Sequence, residues 1–400
     1  MRMNFVFISP HFPANYERFC TALKEHGVTV LGIADTPYDQ LTDILRGALT
    51  DYYRVDSLED YESVLRGVAY FIHRYGKIDW LESNNEYWLE QDARLREAFH
   101  ITSGFMPTDM PQVKHKSLMK ACYERAGVPT ARYHMVSTLD AARAFIEEVG
   151  YPVIVKPDNG VGACATYKLC SDGELCRFYE NPPSVPYIME EYVYGAICSY
   201  DAILNSKGEP LFESGDYVPY SIMEAVNTGD HQHFSILPRL PDDLRDAGRR
   251  CVKAFGAYSR FVHFEFFRLW EDHPSLGRAG TIVGLEVNMR PCGGFTPDMY
   301  NYALSTDVYR IYADMICYDE NRQPDWPEKY YCAFVGRQDG KPYLLSQEAL
   351  RQRYAGDLMM SAVLPDVLAA GMGKYVFIAR FKDTDRMDAF FRDALELAAQ

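Results

Sequence analysis

The chain has 400 residues, of which 48% are hydrophobic and 24% are charged, and its formal net charge is −15. This length suits two or three domains, each with its own core. The acidic balance disfavours proteins that bind nucleic acids or anionic membranes through clustered lysines and arginines. No apolar stretch approaches the roughly 20 residues of a membrane span, and the first residues, MRMNFVFISPHFP, lack the pattern of a secretory signal. The ten cysteines are scattered without paired spacing, so we expect a reduced, cytoplasmic protein.

The first 110 residues alternate the patterns of buried strands with those of amphipathic helices. Strand segments such as NFVFISP, VTVLGIAD and IDWLES are separated by helix segments such as NYERFCTALKEHG and DYESVLRGVAYFIHRYG. Such alternation predicts a parallel sheet with helices on both faces. Ligands usually bind where such strands end, here at Ser9-Pro10 and in the SNNE turn, residues 83–86. We therefore predict an α/β N-terminal domain over residues 1–110, with part of a substrate pocket at these strand ends.

The rest of the chain predicts an α+β architecture in three parts. The segment GFMPTDMPQ carries two prolines and marks a linker. A strand, a glycine-rich loop and a returning strand follow in YPVIVKPDNGVGACATYKL, which places a small lobe at residues 111–186. Strands around the helix DDLRDAGRRCVKAFG predict a larger lobe at residues 187–315. The segments YYCAFVGRQ, SQEALRQRYAG and KYVFIARFKD predict a small α+β unit at residues 316–400.

Two lysines and the glycine-rich loop suit the binding of phosphate groups. The loop contains Gly160 and Gly162, and its letters fit a dinucleotide fingerprint, but a strand rather than a helix follows it. A flexible hairpin loop can instead fold its backbone N–H groups over phosphates. Lys156 ends the strand before the loop, and Lys116 opens a helix, where a cation opposes the helix dipole. An ordinary hairpin turn and solvated lysines are the alternatives.

The segment GLEVNMR places Glu286, Asn288 and Arg290 on one face of a strand, with apolar residues between them. Glu265 lies in the aromatic strand FVHFEFF, where an isolated carboxylate is costly unless it is paired or bound to a metal. If the two strands pair, these residues provide three oxygen ligands, which suit Mg²⁺ in a site shared with substrate phosphates. Arg290 would then face the anion that the metal holds. The solvated outer face of an antiparallel sheet is the alternative.

His231 and His233 alternate along the segment DHQHF. Two histidines can begin a zinc site, but the sequence shows no third ligand. A contact to substrate or a plain surface strand is the preferred interpretation.

Taken together, these motifs resemble the ATP-grasp superfamily, in particular its carboxylate–amine ligases and its biotin-carboxylase-like branch. The resemblance spans roughly residues 1 to 315 and includes the phrase RAGVPTARY after Lys116. It implies ATP as a substrate and Mg²⁺ or Mn²⁺ as the metal, with Lys116 and Lys156 on the phosphates. It further implies that the hinge IMEEYV presents the backbone of Glu191 and Val193 to adenine, with Glu190 nearby.

The loop RPCGGFTPD takes the place of the segment that shapes the acceptor site in such relatives, and Gly293 and Gly294 allow close backbone approach. One departure concerns the ribose, because Ile197 stands where many amide-forming relatives carry a glutamate. The loop also lacks the charged residues of carboxylases. Dimerisation through the N-terminal domain is common among relatives, so the resemblance allows a homodimer.

The sequence therefore predicts an ATP- and magnesium-dependent ligase that activates a substrate carboxylate as an acyl phosphate and joins it to an amine. Its partners are then small molecules, an amino acid possible among them, and neither nucleic acid nor membrane. Alternatives are a small-molecule kinase or carboxylase that uses the same ATP clamp, and a nucleotide-binding sensor without catalysis.

Overall fold

The computed structural model describes residues 3–160, 165–219, 231–364, 369 and 371–398. Within these ranges the strands form three sheets. The strands are β1 Asn4–Ile8, β2 Thr29–Ala34, β3 Asp51–Arg54, β4 Trp80–Glu82, β5 Tyr133–Met135, β6 Val153–Pro157, β7 Tyr167–Leu169, β8 Tyr187–Glu191, β9 Gly195–Leu204, β10 Pro210–Ser214, β11 Asp216–Val218, β12 Gln232–Ile236, β13 Arg260–Leu269, β14 Ile282–Asn288, β15 Tyr331–Arg337, β16 Leu358–Val363 and β17 Tyr375–Phe381.

Helices connect and cover these strands. The described α-helices are α1 Glu17–Glu25, α2 Asp43–Ala48, α3 Tyr61–Tyr75, α4 Leu89–Ala98, α5 Pro111–Lys114, α6 Lys116–Arg125, α7 Leu139–Val149, α8 Asp172–Glu180, α9 Asp242–Phe255, α10 Thr296–Leu304, α11 Val308–Tyr318, α12 Gln347–Arg353 and α13 Thr384–Leu395. Several begin at a side-chain cap: the carboxylate of Asp60 accepts a hydrogen bond from the N–H of Ser63 before α3. Such caps satisfy backbone donors that the helix cannot pair itself.

The N-terminal sheet is parallel, with the strand order β3-β2-β1-β4. Both β1 and β2 are buried along their whole length, which explains their continuous apolar sequence. The predicted parallel sheet in this part of the chain is confirmed. Tyr16, which lies between β1 and α1, holds the turn after β4 in place. Its hydroxyl donates to the carbonyl of Asn84 at 2.5 Å.

The second sheet is antiparallel, with the order β5-β8-β6-β7. Its β6 and β7 form the predicted hairpin around the glycine-rich loop. One face of this sheet packs on α7 and α8 through a small apolar cluster that includes Ile146, Leu175 and Met189.

The third and largest sheet has nine strands, with the order β14-β13-β9-β11-β12-β15-β17-β16 and β10 beside β9. Along β13 the side chains alternate: Phe264 and Phe266 pack in the apolar cluster under α6 and α9, while His263 and Glu265 face the other way. The last three strands come from residues beyond 316 and extend the same sheet. One continuous sheet therefore joins β13 and β14 to the strands that follow residue 316.

Among the described residues, no helix combines the length and the apolar character needed to cross a membrane. Every cysteine that the structure describes is a free thiol.

Candidate active site

Lys156 and Glu190 lie on neighbouring strands of the second sheet, β6 and β8. In their antiparallel register Lys156 lies opposite Ile188, which is two positions from Glu190 and on the same face. The Nζ atom of Lys156 lies 2.7 Å from Oε2 of Glu190, and both side chains are buried. The sequence-predicted lysine therefore points into the molecule, against the alternative of a solvated end.

A second lysine, Lys120, holds the other oxygen of Glu190. Its Nζ lies 2.5 Å from Oε1 of Glu190 and donates to the carbonyl of Ala131 at 3.1 Å. Burial alone would raise the pKa of Glu190, but Lys120 and Lys156 together lower that pKa to about 2. The carboxylate is therefore charged at all physiological pH values and keeps both ammonium groups fixed.

Lys116 approaches the same space from the first turn of α6, one helical turn before Lys120. Its Nζ lies 3.3 Å from Oε2 of Glu286 and 3.4 Å from the carbonyl of Gly160 at the start of the glycine-rich loop. Burial opposes protonation, yet Glu286 and Glu190 raise the pKa of Lys116 above its ordinary value. Three buried ammonium groups thus converge between the second sheet and β14, where a polyphosphate would find preorganised charge.

The predicted carboxylates meet across one strand pair. Glu265 of β13 lies directly opposite Glu286 of β14, and His263 lies opposite Asn288. The amide oxygen of Asn288 accepts from Nη2 of Arg290 at 3.0 Å, and its buried amide nitrogen has no hydrogen-bond partner among the described residues. Two carboxylates and one amide oxygen on one face form a donor set that fits a hard divalent cation.

Arg290 connects this strand pair to the N-terminal domain. Its Nε lies 3.7 Å from Oε2 of Glu86, and its Nη1 donates to the carbonyl of Pro291 at 2.7 Å. Glu86 is buried and also accepts from Nζ of Lys114 at 2.8 Å. Burial alone would lower the pKa of Arg290. The nearby Glu86, followed by weaker contributions that include Glu265, raises that pKa above its ordinary value. The SNNE turn therefore lies beside the strand pair that carries Glu265, Glu286 and Asn288.

Glu191, the last residue of β8, has a buried side chain. Its Oε2 accepts from Nη2 of Arg132 at 2.7 Å, and its Oε1 accepts from the backbone N–H of Arg132 at 2.8 Å. The N–H of Glu191 donates to the carbonyl of Arg132 at 3.0 Å. Val193 packs in an apolar cluster with Ala131, Leu269 and Val283. Both oxygens of the Glu191 carboxylate are therefore held by Arg132. Because the N–H of Arg132 donates to this side chain, it does not pair with the backbone carbonyl of Glu191.

The structure describes three of the four glycines that the sequence predicts for the site. Gly160 precedes the loop whose residues 161–164, including Gly162, lie outside the described residues. Gly294 adopts a φ of 62°, in the left-handed region, and its carbonyl accepts from Nδ2 of Asn15 at 3.0 Å. Gly293 has open space around the position of an added Cβ, whereas one on Gly294 would meet Cε of Met372.

The histidines of DHQHF lie elsewhere. Three strands, β11, β9 and β13, separate β12 from β14. The ring of His233 packs with its centroid 4.9 Å from that of Phe391 on α13, and burial together with His231 lowers the pKa of His233 to about 4. The structure therefore does not bring His231 and His233 to the carboxylates.

Sequence reasoning missed Lys120 and identified Glu86 only as part of a turn. Lys120 follows Lys116 by one helical turn in KHKSLMK, so the helical spacing placed both lysines on one face and was the available signal. The contact of Glu86 with Arg290 depends on long-range packing that no local pattern reveals.

Three comparisons with known proteins find similar sequences and similar folds. Residues 115–177 match the family model of the carbamoyl-phosphate synthase L chain ATP-binding domain. An alanine–anticapsin ligase from Bacillus subtilis is 27% identical over an alignment of 200 positions that covers 44% of this chain and 41% of that relative. The alignment thus spans less than half the length of that relative.

Solved structures with the same fold cover nearly the whole chain. An L-amino acid ligase from Bacillus licheniformis has a TM-score of 0.70 at 17% identity, and the match covers 100% of this chain and 99% of that one. The biotin carboxylase domain of a Hydrogenobacter thermophilus 2-oxoglutarate carboxylase, in complex with MgADP, has a TM-score of 0.70 at 15% identity, covering 98% of this chain and 90% of that one. The chain therefore has the ATP-grasp fold, and the resemblance found in the sequence is confirmed.

Proposed function

We propose that this protein is an ATP- and magnesium-dependent ligase that joins a small carboxylic acid to an amine. The observation that supports it most directly is the convergence of Lys116, Lys120 and Lys156 with Glu286 at the junction of the two lobes. Such a site can neutralise a triphosphate and position it for transfer, which is most of what phosphoryl transfer requires.

The layout that follows from this proposal divides the chain into four parts. Residues 1–110 provide the substrate side of the cavity, residues 111–186 the small lobe with its flap loop, and residues 187–315 the large lobe with the metal-binding face. Residues 316–400 support the large lobe by extending its sheet.

In the nucleotide site, Lys116, Lys120 and Lys156 would bind the phosphates, with Gly160 and Gly162 at the base of the flap. Glu190 would remain between Lys120 and Lys156 and keep them aligned. The backbone carbonyl of Glu191 and the N–H of Val193 would meet the adenine edge, while the carboxylate of Glu191 stays bound to Arg132.

The residues that would hold the metal are Glu265, Glu286 and Asn288, because they present three oxygens on one face. A magnesium or manganese ion bound there would supply charge neutralisation of the phosphate oxygens. Lys116 already pairs with Glu286, so one contact links the metal ligand to the phosphate-binding lysines.

The proposed reaction has two steps. A substrate carboxylate attacks the γ-phosphorus of ATP, which releases ADP and leaves an acyl phosphate. The amine then attacks the carbonyl carbon, phosphate leaves, and the amine nitrogen loses a proton to give the amide. Arg290, held by Glu86, lies where it can stabilise the charge on the transferred phosphoryl group.

The guanidinium of Arg290, which lies beside the SNNE turn of the N-terminal segment, favours a small anionic acid as the first substrate. The activities of two similar proteins, an alanine–anticapsin ligase and an L-amino acid ligase, support amino acids as substrates. The free thiols that the structure describes suit a reducing cytoplasm.

An ADP-release screen of amino acids and small carboxylic acids, offered singly and in pairs, tests the proposal. A ligase releases ADP in quantity only when acid and amine are both present, and mass spectrometry then shows the amide. A phosphorylated single substrate would instead identify a kinase. Tight ATP binding without turnover across the panel would identify a sensor.

A further inference from the structure

Next to Glu265, three side chains of different chemistry meet in one place. Asp201 of β9 lies opposite His263 of β13 in the antiparallel register, and Cys292 reaches them from the loop after β14. One ligand atom from each residue lies within 4.8 Å of those of the other two. Asp201 and His263 are buried and Cys292 is half-buried. We call these three residues the Asp–His–Cys cluster.

Together with the carboxylates around it, the cluster carries more negative than positive charge. Oδ1 of Asp201 lies 2.7 Å from Nδ1 of His263, and Oε1 of Glu265 lies 3.0 Å from Nε2 of the same ring. A further carboxylate, Asp216 of β11, is 5% exposed and its Oδ1 has no hydrogen-bond partner among the described residues. No lysine or arginine in the described ranges forms a salt bridge with any of these carboxylates.

Buried carboxylates in such number are costly unless a cation balances them. A protonated His263 supplies one positive charge to this group of carboxylates. A divalent cation would supply two and would occupy the space between ligand atoms that already converge.

The donor atoms identify the class of cation. A carboxylate oxygen, an imidazole nitrogen and a thiolate sulfur form the mixed set that zinc and similar ions prefer, whereas magnesium avoids sulfur. The second ring nitrogen of His263 faces Glu265 at 3.0 Å, which is the outer carboxylate contact that usually orients a metal-bound histidine.

We propose that the Asp–His–Cys cluster binds a zinc-class divalent cation through the carboxylate of Asp201, Nδ1 of His263 and the thiolate of Cys292. Binding displaces the proton from Nδ1 and the proton of the thiol, while Nε2–H donates to Glu265. The site goes beyond the proposed ligase activity, because none of its three ligands is assigned to ATP or magnesium. Through Glu265 it would also orient one of the residues proposed to hold the magnesium ion.

Cobalt is a suitable probe, because a cobalt–thiolate bond gives a charge-transfer absorption that oxygen ligands do not. The full-length protein, stripped with a chelator, is titrated with Co²⁺ in the presence of excess Mg²⁺. We expect a thiolate absorption that saturates at one Co²⁺ per chain and disappears when Zn²⁺ is added. Cys292→Ser should abolish the absorption, and Cys170→Ser, at an exposed cysteine, should leave it intact.

A folded wild-type protein without this absorption, or an absorption that survives in Cys292→Ser, would overturn the proposal. A second measurement does not depend on the variant: alkylation of Cys292 in the wild type, followed by peptide mass spectrometry. Zn²⁺ should slow that alkylation at least tenfold, and an unchanged rate would show that His263 is simply an imidazolium paired with Asp201. Either result is independent of ADP release, so it does not decide the ligase proposal.

Discussion

The ammonium group of Lys156 lies 2.7 Å from the carboxylate of Glu190, and both side chains are buried between the lobes. In the proposed catalytic cycle this ammonium group also binds a phosphate. Binding requires little movement, because Lys120 holds the other oxygen of Glu190 and keeps the carboxylate in place. The pair is therefore a preorganised donor rather than a flexible surface lysine.

Replacing Lys156 with alanine should strongly reduce ATP turnover. Loss of one preorganised charged donor typically removes about 2.7–4 kcal/mol of transition-state stabilisation, or roughly 100- to 1000-fold in kcat. Steady-state ADP release measures this, with circular dichroism to confirm the fold. Lys207→Ala changes an exposed lysine and should keep the wild-type rate. Equal rates for the two variants would remove Lys156 from the phosphate site.

Glu286→Ala should nearly abolish ATP turnover while the protein stays folded. The change removes a proposed metal ligand and also leaves Lys116 without the carboxylate at 3.3 Å. Activity is measured over a range of Mg²⁺ concentrations, and added Mg²⁺ should not restore it. The matched control is Glu271→Ala, at an exposed glutamate just after β13. Wild-type turnover by Glu286→Ala would show that the metal-binding face is assigned wrongly.

Two adjacent glycines in the acceptor loop should respond differently to the same change. Gly294→Ala places a side chain at a φ of 62° and against Cε of Met372, so we expect a loss of about 1–2 kcal/mol in unfolding free energy. The KM for the second substrate should also rise. Gly293→Ala meets open space and should be tolerated. Urea denaturation measures the stability of both.

Adding Met372→Ala to Gly294→Ala removes the steric part of the cost and leaves the backbone part. Partial recovery of stability in the double variant is therefore expected. No recovery would mean that the left-handed backbone alone accounts for the loss.

The buried Asp92 should make the protein less stable as pH rises. Burial, followed by the nearby Glu82, raises the pKa of Asp92 to about 8 in the folded state. Between the unfolded value near 4 and about 8, the unfolded chain releases this proton while the folded chain retains it, so rising pH favours unfolding. Asp92→Asn should remove that slope and gain stability over the wild type as pH increases.

Urea denaturation at several pH values between about 5 and about 8 tests this linkage. The difference between Asp92→Asn and wild type should grow steadily in favour of the variant. Asp56→Asn carries the same substitution at an exposed position and serves as the control. A difference that is constant with pH would show that Asp92 is ionised in the folded protein.

Much of the fold followed from local patterns. The strand–helix alternation of the first 110 residues predicted the parallel sheet, and the two-residue period of GLEVNMR predicted which side chains of β14 share a face. The pairing of Glu265 with Glu286 was within reach because the two strands are close in sequence. These features depend on the spacing of apolar and polar residues within one short segment, which the sequence shows directly.

The remaining features depend on contacts between distant segments. Glu190 forms ion pairs with Lys120 of α6 and Lys156 of β6. Glu86, in the turn after β4, lies beside Arg290, which follows β14. Asp201 and Cys292 become neighbours only when β9, β13 and the following loop assemble. Hydrophobic periodicity predicts elements but does not specify which polar side chains of separate elements meet.

The nine-stranded sheet has a practical consequence for anyone who wishes to shorten this protein. Removing the residues after 316 would strip β15 from β12 and leave the backbone groups of an inner strand unpaired. An exposed inner strand invites intermolecular pairing, so the shortened chain should precipitate rather than yield a smaller working enzyme.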